Sequence, residues 1–207
     1  MRIYDFKGFP NPTRVRIALA EKDLTDSVEF VSVDVPAGEH RRPEFLAKNP
    51  SGAVPVLELE DGTTIAECTA ITEYVDNLDG NPMLTGRGAK ERAIVHMMQR
   101  RAEAGLFDAV ATYFHHATPG LGPQIEIYQN REWGEMSRER AAAGMSYLDR
   151  LLSGQPYLAG ENFSMADITA FVGLSYAEFA EIEVPADLSH LRAWRDRVAA
   201  RPGVANS

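Results

Sequence analysis

The sequence predicts two domains, an α/β domain over residues 1–80 and an all-helical domain over 89–207. Length is the first reason, since 207 residues exceed the ~150 of one typical domain. Punctuation is the second: Asp79-Gly80-Asn81-Pro82, then Gly86 and Gly88, gather chain breakers into one linker. Periodicity is the third. Short apolar runs alternate with helical stripes before that linker, and only helical stripes follow it.

The elements follow in order. Ile3 to Phe6 reads as a short strand, and Pro10 and Pro12 mark a turn, with Pro12 well placed in the first turn of a helix. Val15, Ala18, Leu19 and the stem of Lys22 form that helix's apolar stripe. Phe30 to Val33, aromatic and β-branched, makes a second strand. Val54 to Leu59 and Thr63 to Ala66, joined through Asp61-Gly62, read as a hairpin. Ala70, Ile71, Tyr74, Val75 and Leu78 then share one helix face. Beyond the linker, a long helix runs from about Ile94 to Phe114, a loop spans Thr118 to Pro123, and Ala141, Met145, Leu148 and Leu152 line another helix. Phe163-Ser164-Met165-Ala166-Asp167-Ile168 is a capping box with its hydrophobic staple, Ser164 and Asp167 bonding reciprocally while Phe163 packs on Ile168.

Composition removes several functions. Cys68 is the only cysteine, so neither an intrachain disulfide nor a cysteine-based zinc site can form, in keeping with a reducing compartment. A net charge of −9, carried mainly by residues 1–80, argues against nucleic acid or an anionic membrane as the partner. The early carboxylate of Asp5 disagrees with a secretion signal, and the longest uncharged stretch, Ala109 to Ile125, is broken by Pro119, Gly120, Gly122 and Pro123. A soluble cytoplasmic protein is expected. His115 and His116 are adjacent and lack a metal quartet, so no metal is expected either.

The candidate site residues each carry two readings. Pro55 is a strand-opening proline or marks a cis bond that presents the backbone of Val54 to an extended peptide. Glu67-Cys68-Thr69 is ordinary capping, or an anion site on helix amides with Glu67 pairing an ammonium. Cys68 reads as a small half-buried cap residue before it reads as a nucleophile. His40, on spacing alone, reads as surface.

Four segments carry a resemblance: Asn11-Pro12-Thr13-Arg14-Val15, Asn49-Pro50-Ser51-Gly52-Ala53-Val54-Pro55-Val56-Leu57, Glu67-Cys68-Thr69-Ala70-Ile71 and Glu161-Asn162-Phe163-Ser164-Met165-Ala166-Asp167. Through them the chain resembles the cytosolic glutathione S-transferase family over nearly its whole length, with a pattern similar to bacterial-type phi- and nu-like members. The resemblance implies a thioredoxin-like N-terminal domain (βαβ, β-hairpin, α), a helical C-terminal bundle and a homodimer. It implies glutathione as substrate, its thiolate conjugated to a small hydrophobic electrophile in detoxification. It further implies that the backbone of Val54 pairs with the cysteinyl unit, with Pro55 beside it in the glutathione site, that Glu67 and Cys68 hold the γ-glutamyl end, and that His40 or Lys48 approaches the glycyl carboxylate.

At the position where the family places its catalytic hydroxyl or thiol, this chain has Phe9, and at the γ-glutamyl serine it has Cys68. The nearest substitutes are Asn11 and Thr13, with Tyr4 at the strand; the thiolate is expected to fall to Asn11, the helix amides and Thr13 sharing the task, while Phe9 is a wall. Phe9, Met98, Tyr113, Phe114 and the Leu121 loop are expected around the electrophile. A glutathione-dependent disulfide reductase or peroxidase, and a non-catalytic glutathione-binding member, remain the alternatives.

Overall fold

The computed structural model describes residues 1–205, which divide into two compact units. The first comprises Met1–Leu84 together with Pro202–Ala205, and the second Thr85–Arg201.

In the first unit, β1 (Arg2–Asp5) leads to α1 (Pro10–Glu21), β2 (Glu29–Ser32), a 3-10 turn at Glu39–Arg41, α2 (Pro43–Leu46), β3 (Val56–Glu58), β4 (Thr64–Ala66) and α3 (Cys68–Asn77). The sheet order is β2-β1-β3-β4, with β1 and β2 parallel and the other pairs antiparallel. The parallel pair needs a crossover, which α1 supplies. Ile3 pairs with Leu57 and Tyr4 with Val56, so the two faces of the sheet are set by alternation. Ile3 and Leu57 are wholly buried, while Tyr4 and Val54 pack against a second cluster of Val33, Phe45 and Val56.

The last described helix, α9 (Pro202–Ala205), belongs to this unit and not to the helical domain expected over 89–207. It packs on α1 so closely that a Cβ at Gly203 would come within 2.7 Å of the Glu21 carboxylate.

The second unit holds α4 (Ala89–Ala102), a π-turn at Glu103–Phe107, α5 (Asp108–Ala117), α6 (Arg131–Leu152), α7 (Met165–Phe179) and α8 (Ser189–Ala199). The single long helix expected through residue 114 is therefore interrupted. The reason is a close crossing, because a Cβ on Gly144 of α6 would strike the Gly105 carbonyl within the π-turn. The loop after α5 runs on to Asn130, whose side chain accepts from the Trp133 N–H and caps α6. Helix α7 is buried along most of its length and begins at the expected capping box. There the Ser164 N–H and Oγ–H donate to Asp167 Oδ2 at 3.0 and 2.9 Å, while Leu158 N–H and Trp194 Nε1–H donate to Oδ1, each at 2.9 Å. Burial raises the Asp167 carboxyl to about 6 against the pull of these four donors.

No helix among the described residues is long and apolar enough to cross a membrane. Among them, too, no group of three or more His, Cys, Asp and Glu side chains is arranged to hold a metal.

Candidate functional site

The first part of the site is built where β1 hands over to α1. Phe9 is the N-cap of α1, extended at φ −76° and ψ 148°, and its ring packs edge-on to Phe6 at 4.6 Å. It offers an aromatic wall and no polar atom. Thr13 donates its hydroxyl to the Phe9 carbonyl at 2.9 Å, the i−4 back-bond common for threonine in a helix, so the proton expected to help a thiolate is already committed. Asn11 is half-buried and held on one side only. Its Oδ1 accepts from Arg14 Nη1 at 3.0 Å and from the Cys68 thiol at 3.5 Å, and its Nδ2 donates to nothing among the described residues.

The second part is the segment from His40 to Pro55. Asn49, buried, organises it: Nδ2 donates to the Ala53 carbonyl at 2.8 Å, and Oδ1 accepts from the Ser51 N–H and hydroxyl at 3.2 and 2.9 Å. Gly52 sits at φ +64°, where a side chain would be strained and would crowd the His40 carbonyl. The Val54–Pro55 bond is cis, and the N–H and C=O of Val54 bond to no described residue. His40 is not on the surface. Only 7% of it is exposed, its Nδ1 is buried without a partner, and burial followed by neighbouring Arg41 pushes its pKa down, keeping it neutral.

Lys48 is otherwise engaged. Its Nζ donates to Glu58 Oε2 at 2.6 Å and lies 4.6 Å from the Tyr4 ring centre, and the Tyr4 hydroxyl donates to the same carboxylate oxygen. The hydrogen bond to Lys48 lowers the Glu58 pKa and raises that of Lys48, so this cation is neutralised within the unit.

The third part is the start of α3. Glu67 stands at φ +69° and ψ 125°, a conformation that costs a non-glycine residue about 1–3 kcal/mol. It is exposed, and its side chain makes no cap bond to the first turn. Cys68 follows, 7% exposed, with its thiol turned to the Asn11 carbonyl at 3.4 Å as well as to Oδ1.

Asn11 and Cys68, 57 residues apart, are thus in contact, with Glu67 beside them by chain connectivity. Arg14 was not among the expected site residues. Its i,i+3 spacing from Asn11 on α1 was the available signal. In the second unit, Met98 and Phe114 are core residues rather than exposed lining, and Arg138 lies over the Tyr113 ring. The adjacent histidines diverge: His115 Nδ1 meets Glu126 Oε1 at 2.7 Å, and His116 Nδ1 accepts from the Asn130 N–H at 3.1 Å.

Family models confirm what these segments resemble. The glutathione S-transferase N-terminal domain matches residues 10–78, and the C-terminal domain matches residues 105–202. The chain belongs to the glutathione S-transferase family. It is 57% identical over 204 residues to glutathione S-transferase 2 of Saccharomyces cerevisiae, covering 99% of this chain and 88% of the relative. The crystal structure of Gtt2 from the same yeast superposes with a TM-score of 0.97 at 57% identity, covering 99% of each chain. A glutathione S-transferase domain-containing protein of Marinobacter aquaeolei gives 0.97 at 58% identity, over 99% of this chain and 100% of that one. The fold is accordingly that of a glutathione S-transferase, a thioredoxin-like domain followed by a helical one, and the chain is an enzyme of that family.

Proposed function

We propose that the first unit binds glutathione along Val54, Glu67 and Cys68, and that the enzyme conjugates its thiolate to a small hydrophobic electrophile. The observation that carries this reading is the start of α3. A non-glycine residue held at positive φ presents an exposed carboxylate beside a helix N-terminus that its side chain leaves uncapped. That pairing suits a zwitterionic γ-glutamyl end, ammonium to Glu67 and carboxylate to the first-turn amides. The open backbone of Val54 suits the cysteinyl unit of an extended tripeptide, and the neutral imidazole of His40 suits hydrogen bonding at the glycyl end. Lys48 has no part in this reading, its charge being met by Glu58. A homodimer in the cytoplasm is part of the proposal, supported by family membership.

The sulfur needs a donor, and Asn11 Nδ2 supplies it at the start of a helix whose dipole favours an anion. Phe9 shields the site, and the Thr13 hydroxyl does not share the task. The thiolate attacks the electrophile's carbon, the new C–S bond forms, and the leaving group departs with its electron pair.

Titrating the thiolate absorbance of bound glutathione tests the site. Asn11→Ala is expected to raise the midpoint and to cut turnover about 10- to 1000-fold, the range for losing one preorganised donor. An unchanged midpoint removes Asn11 from the reaction. Turnover of a small disulfide or a peroxide in preference to an aryl halide would replace conjugation with glutathione-dependent reduction.

A further inference from the structure

We propose that Cys68 is a positioning residue for Asn11: its thiol, together with the Arg14 guanidinium, clamps the carboxamide oxygen so that the NH2 group is turned toward the reacting sulfur. The inference rests on the reading of Asn11 given above and concerns what holds that side chain in place.

The amide's orientation is settled by chemistry. A guanidinium can only donate, so the atom 3.0 Å from Arg14 Nη1 must be the oxygen. The Cys68 thiol reaches the same oxygen at 3.5 Å and the Asn11 main-chain carbonyl at 3.4 Å. One weak S–H donor therefore bridges the side chain and the backbone of a single residue. Two donors on Oδ1 fix which end of the planar carboxamide is Nδ2, and it donates to nothing among the described residues. A free asparagine flips or rotates at little cost, and a flipped amide would present an oxygen to a thiolate. Holding the oxygen from behind turns a mobile polar group into a fixed donor, which is what a preorganised anion site requires.

The same contact gives Cys68 a different task from a ligand-binding side chain. It sits at the first position of α3, where its backbone N–H belongs to the helix terminus, while its side chain points across to α1. Ligand binding through the backbone and positioning through the thiol are separable, and so they can be measured separately.

The experiment compares wild type with Cys68→Ala, Cys68→Ser, Asn11→Ala and the Cys68→Ala/Asn11→Ala double variant. It reads the thiolate titration midpoint together with kcat and the glutathione KM. Cys68→Ala is expected to raise the midpoint in the direction of Asn11→Ala and to lower kcat about 3- to 10-fold, the effect of one modest hydrogen bond, with KM within about 2-fold. Cys68→Ser keeps a donor and should restore the wild-type midpoint. The double variant should match Asn11→Ala alone, because a clamp has no effect without the group it holds. Cys68→Val, close in size and without a donor, repeats the measurement should the alanine variant fold poorly. Two outcomes overturn the inference while leaving the role of Asn11 intact. In one, Asn11→Ala moves the midpoint and the Cys68 variants do not. In the other, Cys68→Ala raises KM at an unchanged midpoint, making the thiol a plain ligand contact. If Asn11→Ala itself leaves the midpoint unmoved, both the inference and the reading beneath it fall.

Discussion

Helix α7 starts at Ser164, whose N–H and hydroxyl both bond Asp167 within a closed capping box, whereas α3 starts at Glu67, strained at φ +69° and without a side-chain cap. Both starts face the same physics, since the first four N–H groups of any helix lack intrahelical partners. At α7 the protein supplies the partners itself and buries them: Asp167 is wholly inaccessible and also accepts from Leu158 and Trp194. At α3 the N-cap side chain supplies none, and the carboxylate that would ordinarily serve stays exposed. The first start is closed and buried, whereas the second keeps its N-cap carboxylate exposed, where the proposed reading places the γ-glutamyl end of glutathione.

Removing the cap at α7 should produce the largest effect. Asp167→Ala leaves the donors of Ser164, Leu158 and Trp194 without their acceptor in a sealed core, and is expected to cost about 3–5 kcal/mol. Urea unfolding at pH 7 measures it, and a loss below about 1 kcal/mol would make α7 no different from an ordinary exposed cap.

Asp167 also sharpens the comparison through pH. Its folded value of about 6 lies above the roughly 3.9 of an unfolded aspartate, so the folded state binds the extra proton between those limits. Stability from this group is fully present below pH ~4 and is lost as pH rises through about 6. Asp167→Asn lacks the titration, so the advantage of wild type over this variant should widen by about 2–3 kcal/mol from pH 7 to pH 4. Paired denaturation curves at the two pH values decide it, and a constant gap would deny the raised carboxyl.

At α3 the expected effects are smaller and of another kind. Glu67→Ala should weaken glutathione binding by about 1–3 kcal/mol, the loss of one charge-assisted contact, as read by calorimetry. Glu67→Gly should lose the same affinity yet stabilise the fold by up to about 1 kcal/mol, since glycine accepts positive φ without strain. A destabilised glycine variant would mean that Glu67 serves the fold after all, and the contrast with Asp167 would collapse.

What could be read in advance follows the distance between partners along the chain. The capping box spans four residues and the Asp61-Gly62 turn is equally local, so each was legible. The stripe of α3 was legible only at Ile71 and Val75: Ala70 and Leu78 are exposed, and Cys68, Thr72 and Asp76 share the buried face. Asn49 was legible as part of a motif but not as the side chain that closes its own loop onto Ala53 and Ser51. His40, set among charged residues, was expected on the surface and lies buried in the unit. The pairing of Lys48 with Glu58 of β3 had no local signal, because Glu58 and Tyr4 converge on it from two strands. The π-turn had no local signature, since it answers a close approach to Gly144 on another helix.

By itself the sequence determined the two-part architecture, the order of the four strands with α1 and α3, the capping box and the family, because periodicity, breakers and short motifs act over one or two turns of chain. Only the tertiary structure decided how the polar groups pair: Cys68 with Asn11, Lys48 with Glu58, the Thr13 hydroxyl with the Phe9 carbonyl. A side chain's partner is whatever donor or acceptor the fold brings within hydrogen-bond reach, longer for sulfur than for nitrogen or oxygen, and burial makes that partnership obligatory wherever water is excluded.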